Sequence, residues 1–171
     1  HWDEMGHYSL IIQARLQKAE LLEAQGQFEQ TATEMRRVLK DLEKYQEAAG
    51  PLGSQPVLQS LYNYLTLGSY HPEAFAQEPK ALRELLEATL DELHLELFMP
   101  PVNHYQRLKL QLLDQLYRWR KEGSGNQVAL QEALEALQSS EEWRSLAVTR
   151  PDLYQELESL IAGIRQVVTQ P

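Results

Sequence analysis

Apolar residues recur at spacings of three and four along nearly the whole chain, and no stretch alternates with period two for long enough to make a strand. The pattern is strongest from Pro79 to Lys121. Leu82, Leu85, Leu86, Leu90, Leu93 and Leu97 mark one face of a helix, while Arg83, Glu84, Glu87, Asp91 and Glu92 fill the other positions. Pro79 suits a first helical turn, where a missing N–H costs nothing. Leu95, Phe98 and Met99 widen the stripe towards the end, as on a helix covered from more than one side. Pro100-Pro101 ends this arm, because a proline disfavours helical geometry in the residue before it. The second arm, from about Val102 to Lys121, carries two stripes: Leu108, Leu112, Leu116 and Trp119, and then Tyr105, Leu110, Leu113 and Tyr117. Such a helix is predicted to lie between neighbours at the centre of a bundle or stacked array.

The flanking segments follow the same period. Tyr8 to Gln25 reads as a helix with Leu10, Ala14, Leu16, Leu21 and Leu22 inward, and Phe28 to Ala48 as another with Phe28, Met35, Val38, Leu39, Leu42 and Tyr45 inward. Gly26 between them predicts an antiparallel pair. A turn-rich linker covers 49–55, and Pro56 to Leu67 forms a short helix with Leu58, Leu61, Tyr62 and Leu65 inward and Tyr64 as a further candidate. In the loop 68–77, Tyr70, His71, Pro72 and Phe75 are unusually apolar; Tyr70 and Phe75 either pin the loop to the core or form an aromatic edge for a partner. Glu122 to Gly125 is the predicted hinge. Asn126 caps a helix over 127–138 with Val128, Leu130, Leu134 and Leu137 as its stripe. Ser139, with Glu142 three residues on, predicts a capping box for a short helix through Trp143 and Leu146. The last helix spans Asp152 to Val168, with Leu153, Leu157, Leu160, Ile161, Ile164 and Val168 inward. The class is therefore all-α: about eight helices, arranged as stacked antiparallel hairpins of an α-solenoid or as an irregular bundle. One domain over 1–171 is expected, with a hairpin at 10–48, central helices at 56–121 and C-terminal helices at 126–171. Because the first residue is His1, the chain is expected to be a piece of a longer polypeptide.

Within residues 10–45, Leu16, Ala19, Gly26, Phe28, Thr31, Met35 and Leu39 resemble a tetratricopeptide unit. In that family a small residue and a glycine let the first helix pack closely, an aromatic follows the turn, and a small residue lets the second helix nest; Thr31 and Ala32 stand at that place. A partial echo spans 56–70, where Leu58, Leu61, Tyr64, Gly68 and Tyr70 follow Leu16, Ala19, Leu22, Gly26 and Phe28 at a spacing of 42. It stops at Pro72, the closing proline of a unit is absent after Tyr45, and the usual unit is ~34 residues. The resemblance implies a protein-binding scaffold, divergent from a regular array.

Charge narrows the partner. The net charge is −9, which repels phosphate backbones and argues against nucleic-acid binding. The segment 101–125 departs from this balance, with Arg107, Lys109, Arg118, Arg120 and Lys121 against Asp114 and Glu122. It reads either as a solvated helix end favoured by the dipole or as a docking patch for an acidic partner. The mostly acidic helices do not suit membrane-surface binding, no apolar run reaches the ~20 residues of a span, and the expected location is cytoplasmic.

Candidate chemistry is sparse. The absence of Cys excludes disulfides and thiolate metal sites, and no nucleophile elbow, phosphate loop or dinucleotide fingerprint occurs. Asp91 and His94 stand at i and i+3, with His104 across the proline pair, but a di-iron bundle needs two such pairs and two further carboxylates. The expectation is a non-catalytic module without metal or cofactor that binds a protein or peptide, with Tyr62, Tyr70, Phe75, Arg118 and Arg120 as contacts. Two alternatives remain: an assembly chaperone or regulatory subunit, and a helical-bundle enzyme or cofactor carrier built on His94, His104 and Asp91.

Overall fold

The computed structural model describes residues 2–95, 100–123 and 125–169. Among them are eight helices and no strand: α1 (Trp2–Ala24), α2 (Phe28–Glu47), α3 (Gln55–Tyr70), α4 (Lys80–Leu95), α5 (Pro100–Lys121), α6 (Gln127–Gln138), α7 (Glu141–Thr149) and α8 (Pro151–Thr169). The class is all-α, as the periodicity indicates. Within the span expected as one domain, backbone contacts separate two compact units, His1–Glu92 and Leu93–Pro171. The boundary falls inside the stretch read as one central hairpin, so most of α4 belongs to the first unit and α5 to the second.

In the first unit, α1 and α2 pair along their lengths and α3 packs on both. The α1 turn closes by two bonds, Gln27 N–H to Leu22 O at 2.9 Å and Gly26 N–H to Glu23 O at 2.9 Å, with Gly26 at φ +75°. This is the left-handed C-terminal cap that glycine adopts without strain. Thr31 and Ala32, the expected small residues, are wholly buried, and Thr31 Oγ1 donates to Gln27 O. The inward face of α1 is Ile12, Leu16 and Ala19; Leu10, Ala14 and Leu21, expected inward, face solvent. Apolar residues occur on several sides of α1, so spacing alone admits more than one buried face. The polar side chain Arg15, which reaches Asp41 and Glu34 on α2, belongs to the chosen one.

The second unit is built on α5, which packs against α6, α7 and α8. Leu108, Leu112, Leu116 and Trp119 of α5 join Leu130, Leu134, Trp143, Leu146, Leu157, Ile161, Ile164 and Val168 in one core. Of the second α5 stripe, Leu110, Leu113 and Tyr117 are buried as well, and Tyr105 is half-buried. Pro100 and Pro101 open α5 rather than only ending the preceding helix, using the first turn where their missing N–H groups are harmless. Leu97, Phe98 and Met99 lie outside the described residues. Asn126 caps α6 as expected, accepting from Ala129 N–H at 2.9 Å. The α7 cap is Ser140, which accepts from Trp143 N–H, so the expected Ser139–Glu142 box does not form: the third helical position is Trp143. Val128, expected in the α6 stripe, is exposed. Trp143 Nε1–H donates to Glu158 Oε1 at 2.9 Å, and Arg165 donates to Gln138, tying the polar rim of α6, α7 and α8 around the core.

Candidate functional site

Among the described residues, exposed aromatic surface gathers where the α1–α2 turn meets the end of α3. Phe28 opens α2 directly after the glycine cap, and His71 ends α3, its N–H bonded to Leu67 O. The two rings stack with centroids 3.9 Å apart and planes 17° from parallel. His71 Nε2 lies 3.1 Å from Glu23 Oε2; a carboxylate only accepts, so this nitrogen carries the proton of that bond. Glu23 on α1, Phe28 on α2 and His71 after α3 therefore fasten three segments at one place. Tyr70 stands beside them, 58% exposed, its ring tilted against His71, and Phe28 remains 39% exposed. Together with Gly26, Pro72 and Ala74 they line a groove of about 430 Å3, rimmed by Glu29 and Glu73. The groove offers aromatic faces, an imidazole and two carboxylates: a surface that suits a side chain with an apolar body and a donor or cationic tip.

The expected contact residues divide between the units. Tyr70 is in the groove. Phe75, five residues on, is fully buried, edge to face with Tyr64 at 5.2 Å between centroids. It pins the loop to the core and is not a partner contact. Tyr62 is half-buried on α3 and already engaged. Arg118 and Arg120 belong to α5 in the second unit. Arg118 pairs with Asp114 one turn earlier at 3.1 Å, Arg120 is also engaged, and Lys109 and Lys121 lie over the rings of Tyr105 and Tyr117. Much of the basic segment is thus used along its own helix, which weakens its reading as a docking patch.

A second polar cluster lies between α1 and α2. Glu34, with 3% of its side chain exposed, meets Arg37 at 2.6 Å, Lys18 at 3.2 Å and Arg15 at 3.5 Å. Burial pushes its carboxyl up, but the hydrogen bonds and charges of Lys18 and Arg37 outweigh this and hold it below the ordinary glutamate value. In the second unit the Tyr105 hydroxyl donates to Glu156, and burial together with that carboxylate raises the phenol well above its ordinary value.

His94 and Asp91 are exposed on α4 and His104 is half-buried on α5. Among the described residues, no three His, Asp, Glu or Cys side chains are placed to hold a metal ion, and no helix is long and apolar enough to cross a membrane. The chain matches no protein-family model, no curated protein and no solved structure. Sequence reasoning missed Phe28 as a surface residue, named His71 only as part of an apolar loop and passed over Glu23. The signal for Phe28 was its place beside Gly26: the first residue after a tight turn sits at the end of the hairpin, where little covers it.

Proposed function

We propose that the chain is a non-catalytic protein-interaction module that holds a protein or peptide segment in the groove of Phe28, Tyr70 and His71. The observation that carries this reading is the pair of exposed aromatic side chains gathered at one groove and held there by the His71–Glu23 bond. Aromatic residues supply much of the energy of protein interfaces, and rigid ones lose little freedom on binding. The tetratricopeptide-like reading of 10–45 agrees with a scaffold role and rests on Gly26 in the turn and on the buried Thr31 and Ala32. Scaffold, assembly chaperone and regulatory subunit share this physics and differ in the partner held.

The test is affinity capture from source-cell extract with the chain as bait, followed by cross-linking of the captured partner. Tyr70→Ala and Phe28→Ala should release a partner that Arg118→Glu/Arg120→Glu retains, and cross-links should fall on 26–29 and 70–74. A partner retained by both aromatic variants and cross-linked elsewhere would overturn the reading.

A further inference from the structure

A second groove lies along the outer face of α2, where the segment 77–81 leads into α4. Pro79 and Ala81, both half-buried, form its apolar lining above the buried Leu39, and Arg36, Arg37, Lys40 and Lys80 stand around an open space of about 600 Å3. In a chain of net charge −9, four cations at one groove form a local reversal of sign. Glu43 and Glu78 also border it, and Glu78 has an interaction of its own.

The cations are only partly spent. Lys40 has no partner among the described residues. Arg36 gives one nitrogen to Thr33 Oγ1 at 3.2 Å, leaving most of its donors. Arg37 touches Glu34, but that carboxylate is shared with Arg15 and Lys18. Three cations in this seam thus face two carboxylates, Glu34 and Asp41, and a positive charge is left over. Lys80 reaches only Glu84, at 3.8 Å and almost wholly in solvent, where such a pair holds its partner weakly.

We infer that this groove is a docking site for an acidic protein segment, one that sets an apolar side chain on Pro79 and Ala81 between carboxylates that meet Arg36, Lys40 and Lys80. Charge complementarity selects the occupant's sign, and the apolar lining selects a peptide over a simple anion. A long polyanion such as nucleic acid also meets the negative surface beyond the groove. A short segment does not, because charges are screened over ~8 Å at physiological ionic strength. The site is distinct in residues and in sign from the aromatic groove, so the chain would join two partner segments of different chemistry.

The probe is the acetylated, amidated tetrapeptide Glu-Leu-Glu-Asp, titrated into the isotopically labelled full chain and followed by amide chemical shifts. Its isostere Gln-Leu-Gln-Asn serves as the comparison. Saturable shifts are expected at residues 33–43 and 77–81, with affinity at least about tenfold below that of the acidic peptide for the isostere, and a similar loss in Arg36→Glu/Lys40→Glu. Both substituted side chains reach solvent, and the unperturbed remainder of the spectrum reports that the variant is folded. Lys80→Glu, outside α2, gives a second and independent loss. Equal binding of the two peptides, shifts centred elsewhere, or no saturable shift with the acidic peptide would each overturn the inference. None of these results bears on the aromatic groove, whose variants are read separately.

Discussion

His71 lies flat on Phe28, 3.9 Å between ring centroids, while its Nε2 bonds to Glu23. One imidazole thereby fixes the end of α3 against the turn of the first hairpin. His71→Ala removes both contacts at once. It should cost about 0.5–2 kcal/mol in urea unfolding, and partner capture through the groove should fall further than that stability loss explains.

Tyr70 and Phe75 sit in neighbouring turns and should behave in opposite ways. Phe75→Ala empties a fully buried site and should cost about 3–5 kcal/mol, visible as a large drop in melting temperature. Tyr70→Ala should leave the melting temperature within a few degrees, because the ring is mostly exposed, and should abolish capture. Equal melting shifts in the two variants would contradict this placement.

Glu34 links stability to pH. Its folded carboxyl titrates below the ordinary value of 4.5, so its contribution is complete above that value and is lost as pH falls through the folded one. Glu34→Gln should cost about 1–3 kcal/mol at neutral pH, a range reduced for the solvent reached by Arg15, Lys18 and Arg37. The difference between the two proteins should shrink as the pH falls below 4.5 and through the lowered folded value, measured by denaturant unfolding at several pH values.

The end of α2 makes a matched pair of substitutions informative. Ala49 N–H bonds to Gln46 O and Gly50 N–H to Tyr45 O, the pattern of a glycine cap, yet the left-handed position at φ +65° is occupied by alanine. Ala49→Gly should therefore stabilise by about 0.5–1 kcal/mol. Gly50→Ala should destabilise by about 1–3 kcal/mol, because a Cβ there would come within 2.5 Å of several ring atoms of the buried Tyr45. Thermal unfolding of the two variants tests both signs.

The faces of α1 offer a similar contrast. Ile12→Ala should cost about 2–4 kcal/mol, and Leu21→Lys, on the exposed side, less than about 0.5 kcal/mol. Paired urea titrations decide it.

Where the helices carry a one-sided stripe, the sequence was readable to within a few residues. Leu108, Leu112, Leu116 and Trp119 enter the core as the spacing says, as do Leu157, Ile161, Ile164 and Val168. Leu10 and Leu21 were misplaced because α1 is apolar on several sides, and the buried face of Ile12, Leu16 and Ala19 is the one that also brings Arg15 and Lys18 to Glu34, a pairing between distant residues that spacing does not encode. The groove was half legible. Tyr70 stood out as an aromatic after a helix. Phe28 looked like core because a lone aromatic at a helix start gives no sign of what lies above it. His71 and Glu23 become partners only once the hairpin has folded back, 48 residues apart in sequence.

Much of the seam between α1 and α2 is apolar, and apolar attraction is non-directional. Glu34 would not tolerate a slip of one turn. A shift of ~5.4 Å would draw Lys18 and Arg15 away from the carboxylate and leave it, of these three cations, only Arg37 where little water reaches. The cluster therefore acts as an alignment key. Oil holds the hairpin together, and one buried carboxylate states which rung of the ladder is the right one.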